Sequence, residues 1–280
     1  EEFLTSELAK IYGLFSLVFT DGFNCYFAGD LIRSIPVFYG FINNRLFITD
    51  NLYEYQKQNG FLAIDNDKLE EFTASGFVYG NGTIYKNVFA LQAGEVVSIK
   101  KNRITSVRYF KFEPFKRPGF YKNLSEFTET FNHVLESVFL RMLRQTPNVN
   151  RWIVPLSGGH DSRIIVNYLY KLGLKNVVCF SYGLPGNEQS SYSRKVAEAL
   201  GFEWHFIEYT EQKWQHLHEI GIIDRFINYS FNGVSTPHLQ DFLAVWEMKG
   251  NGILKQNDVF VPGHTFDFLV GSNLDESDIK

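Results

Sequence analysis

The sequence predicts an α/β protein in two parts, in which a β-rich first part precedes a parallel sheet with helices on both faces. Three observations carry this prediction. Runs of β-branched and aromatic residues dominate the chain up to about Phe115. From Ser125 onward, apolar residues recur with a helical period of about 3.6. Short apolar strands and helical segments then alternate, which is the pattern of βαβ units.

The first part covers residues 1–115 and contains a series of strand-like runs. Turn-forming pairs such as Asp21-Gly22 separate these runs, and Asn43-Asn44 and Lys101-Asn102 favour tight hairpins. A helix is predicted at residues 67–76, with Asp67 near its N-terminal cap. The strand-like runs are residues 12–19, 24–28, 37–42, 45–49, 95–100 and 103–110.

The second part covers residues 116–280 and starts where prolines and a glycine at residues 114–119 interrupt the strand pattern. Ser125 is the predicted N-cap of its first helix. Two later helices are predicted to end at Gly173 and Gly201, since glycine is the common residue just past a helix end. The predicted strands are residues 152–156, 177–182 and 204–208.

Composition restricts the classes of partner. The chain has 280 residues, enough for about two domains, and 45% hydrophobic with 21% charged residues is typical of a globular protein. A net charge of -4 gives no electrostatic attraction to nucleic acid or to an anionic membrane. The apolar runs are shorter than the roughly 20 residues that span a bilayer. We therefore expect a cytoplasmic protein without nucleic-acid or membrane partners.

Several common chemistries have no support in the sequence. Cys25 and Cys179 lie in strand-like runs without a basic neighbour, so buried, reduced thiols are expected. His205, His216 and His218 lack the spacing of zinc ligands. The Gly-x-Ser-x-Gly motif of serine hydrolases and the Gly-x-x-x-x-Gly-Lys-Ser/Thr motif of γ-phosphate chemistry are both absent.

The most informative segment is VPLSGGHDS at residues 154–162, between a strand-like run and an amphipathic helix. Gly158 and Gly159 lack the Cβ atoms that would keep a polyanion away from backbone N–H groups, and the helix start favours phosphate. Ser157 and Ser162 add hydroxyl donors. Asp161 suits a phosphate site only if a divalent cation bridges the charges. The segment predicts unpaired amides that bind the pyrophosphate of ATP with Mg²⁺; an ordinary turn and helix cap is the alternative.

Two later loops follow predicted strands and could complete a nucleotide site. The loop at residues 180–186 lies where nucleotide bases bind in parallel sheets, although a plain strand-to-helix turn explains it equally well. The segment at residues 259–271 places Asp267 between large apolar residues. Asp267 is either a helix cap or, paired with Asp161, a second carboxylate for Mg²⁺.

These segments together resemble the asparagine synthetase family, and they follow one another along the chain in the same order as in that family. Residues 157–162 resemble the family's pyrophosphate loop, residues 180–186 its adenine-side loop, and residues 262–271 its Ser-Gly-Glu-Gly-x-Asp-Glu signature. Ser235-Thr236-Pro237 matches the segment before its last sheet strand. In the first part, the GLFSLV and PVFY runs at residues 13–18 and 36–39 look like the second half of the family's glutaminase domain.

The resemblance implies an activity and a set of site residues. The family activates a carboxylate with ATP, giving an acyl-adenylate and pyrophosphate, and an amine then displaces AMP. Asp161 and Asp267 would hold Mg²⁺, and His264 and Asp267 would be the catalytic residues. The implied pyrophosphate contacts are Ser157, Gly158, Gly159, Asp161 and Ser162. The implied nucleoside contacts are Leu156, Tyr182 and Gly263.

The sequence departs from the family pattern at residues that bear on the identity of the product. His264 stands where the family has Glu, and Phe268 replaces its second acidic residue, which puts asparagine as the product in doubt. His264 can still act as an acid or base near neutral pH. The resemblance begins inside the glutaminase domain, after its N-terminal Cys, so glutaminase activity is not expected in this chain. The chain is expected to be a fragment or to lack segments, among them one with a Lys that stabilises the adenylate.

The sequence thus predicts a divergent ATP-dependent amide-forming ligase with a truncated glutaminase-like first domain and a pyrophosphate-loop second domain. Its partners would be a small-molecule carboxylate and an amine or ammonia donor. The alternative is a degenerate, non-catalytic nucleotide-binding or scaffold protein that keeps the fold. A sulfurtransferase lacks support, because no Cys lies near the loop. The carboxylate, the nitrogen donor and the oligomeric state, for which a homodimer is one option, stay open.

Overall fold

The computed structural model describes residues 2–101, 103–113 and 123–264. The described residues divide into two compact units, one within Glu1–Gly119 and Ile220–Pro237, the other within Phe120–Glu219 and His238–Lys280. The division differs from the predicted domains 1–115 and 116–280, because residues 220–237 return to the first unit. Backbone hydrogen bonds from Val78 N to Val234 O (2.8 Å) and from Ile84 N to Gly233 O (2.9 Å) hold that segment there. The identity of the first unit as a glutaminase-like domain stays a prediction.

The elements are numbered along the chain. The helices are α1 (Glu2–Leu8), α2 (Leu52–Asn59), α3 (Asn66–Ser75), α4 (Leu124–Gln145), α5 (His160–Lys171), α6 (Glu188–Leu200), α7 (Glu211–Glu219), α8 (Ile222–Ser230) and α9 (Phe242–Gly250). The strands are β1 (Ser16–Thr20), β2 (Asn24–Gly29), β3 (Phe38–Ile42), β4 (Arg45–Thr49), β5 (Val88–Ala90), β6 (Glu95–Lys100), β7 (Arg103–Arg108), β8 (Trp152–Pro155), β9 (Val177–Gly183), β10 (Glu203–Glu208) and β11 (Val259–Phe260).

The first unit contains two antiparallel sheets, with strand orders β1-β2-β6-β7 and β4-β3-β5. Each strand-like run of the sequence overlaps one of these strands, whereas β5, α1 and α2 were not predicted. Alternate residues of the strands form one of its buried clusters, which includes Phe27, Tyr39 and Val97. Helix α3 begins after Asp65, whose side chain accepts a hydrogen bond from Lys68 N, so Asp65 is the N-cap.

The second unit is built on a parallel sheet, as the sequence predicted, and the structure gives its strand order as β10-β9-β8-β11. Side chains of β8 alternate between the two faces. Trp152 and Val154 pack under α4, α5 and α6, whereas Ile153 packs under α9. Both faces are therefore covered, which explains why the strands are apolar runs. No helix among the described residues is long and apolar enough to cross a membrane.

Two helices of the second unit end where the sequence predicted, and one helix begins at a different residue. Gly173 follows α5 with φ +78°, and Gly201 caps α6 with φ +70°, both left-handed values that suit glycine. The predicted N-cap Ser125 is wrong. Helix α4 begins at Leu124, because Asn123 Oδ1 accepts a hydrogen bond from Glu126 N at 2.9 Å and so caps the helix two residues earlier.

The strand order creates one crevice at the carboxyl edge of the sheet. The chain runs from β8 to β9 and β10 on one side, and β11 then pairs with the opposite side of β8. The loops that follow β8, β9 and β11 therefore start from the same edge of the sheet, with β9 and β11 on opposite sides of β8. Ligands of open α/β sheets bind at such a reversal of strand order.

A buried ion pair joins the other ends of β8 and β11. Arg151 Nη2 lies 2.6 Å from Asp258 Oδ2, and the two side chains are 14% and 3% exposed. Arg151 also donates to Ile253 O. Burial pushes the pKa of the Asp258 carboxyl upward, but hydrogen bonds from Arg151 and Lys255 N hold that pKa below its ordinary value.

We predict that Asp258→Asn lowers the free energy of unfolding by about 2 kcal/mol at neutral pH, because it leaves the Arg151 guanidinium without its counter-charge. The depressed pKa of Asp258 means that this contribution is present above the unfolded pKa of about 3.9 and is lost as pH falls through the folded pKa. Urea unfolding at a series of pH values measures it.

Glu198→Gln is the matched control, since the Arg194–Glu198 pair on α6 is more than half exposed. It should cost no more than about 0.5 kcal/mol. Equal costs for the two variants, or a cost for Asp258→Asn that does not shrink in acid, would contradict the role of the buried pair.

Candidate functional site

The predicted loop lies at the carboxyl end of β8, as strand, glycine turn and helix start. Leu156 N donates to Phe180 O at 2.8 Å, which extends the β8–β9 ladder by one residue. The chain then turns, and α5 begins at His160 with Gly159 as an N-cap that has no side-chain cap hydrogen bond. The local structure that the sequence predicted here is confirmed.

The two glycines of the loop leave space for nearby side-chain oxygens and have no unusual backbone angle. A Cβ atom on Gly158 would lie 3.1 Å from Gln189 Oε1, and one on Gly159 would lie 3.2 Å from Ser157 Oγ. Gly159 has an ordinary φ of -73°. The absence of side chains thus lets oxygen atoms approach the loop closely.

The loop amides are engaged, contrary to the prediction that they are unpaired. Ser157 N donates to Ser162 Oγ at 3.0 Å, Gly158 N donates to Gln189 Oε1 at 2.8 Å, and Gly159 N donates to Ser157 Oγ at 3.1 Å. The three acceptors share one property, since each is a neutral side-chain oxygen. The loop therefore does attract oxygen atoms, and the protein supplies them itself.

A cavity of about 470 Å³ opens beside the loop, within the size range of small-molecule sites. Of the predicted site residues, Gly158 and Gly159 lie in the loop without lining the cavity, and Asp267 lies outside the described residues. The predicted residues that line it are Leu156, Ser157, Asp161, Ser162, Tyr182, Gly263 and His264. The lining residues not predicted include Ser181, Gln189, Gln240 and Asp241.

The segment after β11 packs directly on the start of α5. A Cβ atom on Gly263 would lie 3.1 Å from Ser162 N and 3.4 Å from Asp161 Cβ. A glycine at this position therefore lets the backbone that follows β11 approach the helix start. Residues that are about a hundred positions apart in the sequence meet here.

Ser181 is a polar group of the cavity that lacks a partner. Its side chain is 7% exposed, and Oγ makes no hydrogen bond to any of the described residues. A buried hydroxyl left unsatisfied costs roughly 1–3 kcal/mol. The cavity therefore offers one buried hydrogen-bonding group to a ligand or an ordered water.

Aromatic rings form the wall beside Ser181. Tyr182 stacks on Tyr209 with ring centroids 4.9 Å apart and an interplanar angle of 13°. The Tyr182 hydroxyl donates to Asp241 Oδ1. Burial, and then the neighbouring Asp241 carboxylate, raise the pKa of Tyr182 well above its ordinary value. The hydroxyl is therefore protonated at neutral pH and acts as a hydrogen-bond donor.

Two histidines and a carboxylate gather at the cavity. His238 Nε2 and His264 Nε2 each lie 3.6 Å from Asp241 Oδ2, and the imidazole centroids are 5.6 Å apart. No local pattern indicated this cluster, because its members lie at residues 238–264 on either side of α9. His205, one of the histidines considered in the sequence, instead lies 2.7 Å from Glu203 Oε1.

Comparison with known proteins agrees with the motifs. Residues 136–226 match the family model for asparagine synthase. Over these residues the chain is similar to asparagine synthases. This segment runs from α4 into α8 and includes the loop at residues 156–162, whereas Asp241, Gly263 and His264 lie beyond it. The resemblance that the motifs predicted is confirmed.

Two curated relatives are asparagine synthetases by name. One, a glutamine-hydrolysing asparagine synthetase 2 of Methanocaldococcus jannaschii, is 27% identical over 158 residues, which are 55% of this chain and 30% of the relative. The other, a glutamine-hydrolysing asparagine synthetase of Acanthamoeba polyphaga mimivirus, is 33% identical over 86 residues, 30% of this chain and 15% of the relative. The matches thus span less than a third of the length of either relative.

Solved structures give weaker likenesses. The NH3-dependent NAD synthetase of Campylobacter jejuni has a TM-score of 0.32 and 13% identity, over 51% of this chain and 59% of its own. The glutamine phosphoribosylpyrophosphate amidotransferase of B. subtilis has a TM-score of 0.26 and 14% identity, over 77% of this chain and 39% of its own. At these scores the likeness supports no conclusion on fold or function.

We predict that Ser181→Ala stabilises the unliganded protein by up to about 1 kcal/mol, because it removes a buried hydroxyl that has no partner. Ser193→Ala is the matched control. The Ser193 hydroxyl is fully buried and accepts a hydrogen bond from Trp204 Nε1 at 2.7 Å, so its loss should cost about 1–2 kcal/mol. Chemical unfolding of the three proteins measures both effects. A destabilised Ser181→Ala variant would show that the hydroxyl is already satisfied.

Proposed function

We propose that the protein is an ATP-dependent ligase that adenylates a small-molecule carboxylate and transfers nitrogen to it, releasing AMP and pyrophosphate. The observation that carries the proposal is the loop at residues 156–162, which lies at the reversal of strand order and inside the residues that match the asparagine synthase family model. The nitrogen donor is an amine or ammonia. The carboxylate is aspartate or a divergent acid.

The engaged loop amides are compatible with a diphosphate site. A hydrogen bond between neutral groups contributes about 1 kcal/mol, and one to an anionic oxygen is roughly twice as strong. The Ser157 and Gln189 side chains are exposed and can rotate away from Gly159 N and Gly158 N. Phosphate oxygens would thus replace side-chain oxygens that occupy their positions in the unliganded protein.

The nucleoside would occupy the rest of the cavity. Leu156 is buried and supplies an apolar surface, and the rings of Tyr182 and Tyr209 supply a flat one. The unpaired Ser181 hydroxyl offers a hydrogen bond to a polar atom of the base or ribose. The backbone at Gly263 lies close enough to the helix start to enclose the ligand.

Asp161 is the described residue that would hold Mg²⁺. It is half-buried in the first turn of α5 and lines the cavity beside the loop, where phosphate charge would accumulate. Mg²⁺ commonly binds one or two carboxylates together with phosphate oxygens, and it neutralises their charge. Asp267, the second proposed ligand and a proposed catalytic residue, lies outside the described residues.

His264 is the other proposed catalytic side chain. It lines the cavity next to Asp241. An imidazole in this position can present positive charge to the carboxylate substrate, or accept the proton that the amine loses when it attacks the adenylate. Holding the carboxylate and the α-phosphorus in line is the main contribution that the cavity would make to the rate.

The proposal is tested by exchange of labelled pyrophosphate into ATP with a panel of carboxylates and Mg²⁺. We expect exchange that depends on one class of carboxylate.

Asp161→Asn should weaken Mg²⁺-ATP binding by about tenfold or more while circular dichroism stays unchanged, because it removes the charge that holds the ion. Asp224→Asn, in the first turn of α8, is the matched control and should bind normally. Unchanged nucleotide binding by Asp161→Asn would refute the metal assignment.

A second prediction concerns the residue that occupies Gly158 N. Gln189→Ala should bind pyrophosphate with Mg²⁺ at least as tightly as the unaltered chain, because the ligand no longer displaces the amide oxygen of Gln189. Calorimetric titration measures the affinity, and Gln215→Ala on α7 is the control. Loss of pyrophosphate binding in Gln189→Ala alone would show that Gln189 is a ligand contact and not a stand-in for phosphate.

The second candidate function is a non-catalytic nucleotide-binding or scaffold protein. One observation favours it: the loop amides are already satisfied within the protein. The presence of His264 where the family has Glu agrees with this interpretation. Mg²⁺-dependent ATP binding without exchange for any carboxylate would favour the binding protein, and no ATP binding at all would favour the scaffold.

A further inference from the structure

We propose that His238, Asp241 and His264 form a binding site for Zn²⁺ at the rim of the cavity. The proposed ligand atoms are the two imidazole Nε2 atoms and Asp241 Oδ2. This site is distinct from the Mg²⁺ site proposed at Asp161 and does not depend on the proposed ligase activity. The inference rests on geometry, on the support of the carboxylate and on the chemistry of the three ligands.

The spacing of the ligand atoms fits a tetrahedral ion. Both Nε2 atoms lie 3.6 Å from the same carboxylate oxygen, and the three atoms lie within 4.8 Å of one another. Zinc bonds of about 2.0–2.1 Å in a tetrahedron place neighbouring ligands about 3.4 Å apart. The two nitrogen-to-oxygen distances are therefore within a few tenths of an ångström of those in an occupied site.

The ligands stand on elements of the same compact unit. Asp241 is the residue that precedes α9, and His238 lies three residues before it. His264 follows β11, whose pairing with β8 fixes where that segment leaves the sheet. Both imidazoles are more than half exposed, at 59% and 54%, so each can rotate to close the remaining distance.

A second layer of contacts orients the carboxylate. Asp241 Oδ1 accepts a hydrogen bond from the Tyr182 hydroxyl, while Oδ2 faces the two imidazoles. Metal-binding carboxylates commonly have one oxygen on the metal and the other held by such a donor. The Tyr182 ring is in turn fixed by its stack on Tyr209.

The ligand set favours zinc over the ions that oxygen ligands prefer. Two imidazoles and one carboxylate suit Zn²⁺ and neighbouring transition metals, whereas Mg²⁺ and Ca²⁺ take oxygen atoms. Three protein ligands leave one tetrahedral position open, as in catalytic zinc sites. Because Asp241 and His264 line the cavity, a water or an anionic oxygen of a bound carboxylate would fill that position. With Zn²⁺ bound, His264 would act through the positive charge of the ion that faces the substrate, and not as the acceptor of the proton from the amine.

The test is a titration of the untagged chain with ZnCl2, together with the visible absorption of the Co²⁺ form. We expect one ion per chain with a Kd below about 1 μM, and a Co²⁺ spectrum of tetrahedral type. His238→Ala and His264→Ala should each weaken the affinity about 100-fold or more. His216→Ala on α7 is the control and should bind like the unaltered chain.

Tyr182→Phe separates a metal site from a plain ion pair between imidazoles and carboxylate. Loss of the hydroxyl that orients Asp241 should weaken Zn²⁺ affinity about tenfold and keep the stoichiometry. Zinc binding that survives in His238→Ala and His264→Ala, or no one-to-one binding by the unaltered chain, would overturn the proposal. Zinc binding in a chain that fails to bind ATP would leave this site standing and refute only the proposed ligase.

Discussion

The site depends on one pairing in the sheet: after α9 the chain forms β11, which pairs with β8 on the side opposite β9. Without the pairing of β11 with β8, the segment at residues 261–264 would not reach the loop that follows β8. The parallel order then directs the ends of β8, β9 and β11 to one edge. The Arg151–Asp258 pair secures the opposite ends of β8 and β11, so a charge pair at the other edge of the sheet supports the geometry of the cavity.

The loop at residues 156–162 shows how a proposed phosphate site can be stable without phosphate. Backbone N–H groups need acceptors, and the Ser157, Ser162 and Gln189 side chains provide them for the loop. These acceptors are neutral and easily exchanged, whereas a diphosphate brings charge. The loop amides are therefore not free. The side-chain oxygens that accept their hydrogen bonds mark the positions that phosphate oxygens would take.

The sequence predicted those features that are determined by residues close to one another along the chain. The glycine loop, the helix from Glu188 to Leu200 and the parallel strands are such features, because local periodicity and glycine positions determine them. The contributions of Asp241 and Gln189 were missed, since only the fold brings them to the loop. The Asn123 cap was missed because Ser125 offers an equally good local signal. The return of residues 220–237 to the first unit depends on long-range backbone hydrogen bonds, which no local pattern records.

The most direct test of the central claim is an NMR titration of the ¹⁵N-labelled chain with pyrophosphate and Mg²⁺. The amide resonances of Gly158 and Gly159 report on the atoms that would exchange a side-chain oxygen for a phosphate oxygen. They should shift and saturate together, while those of Gly173 and Gly201, at the far ends of α5 and α6, stay in place. Unmoved resonances of Gly158 and Gly159 at saturating pyrophosphate would contradict the account.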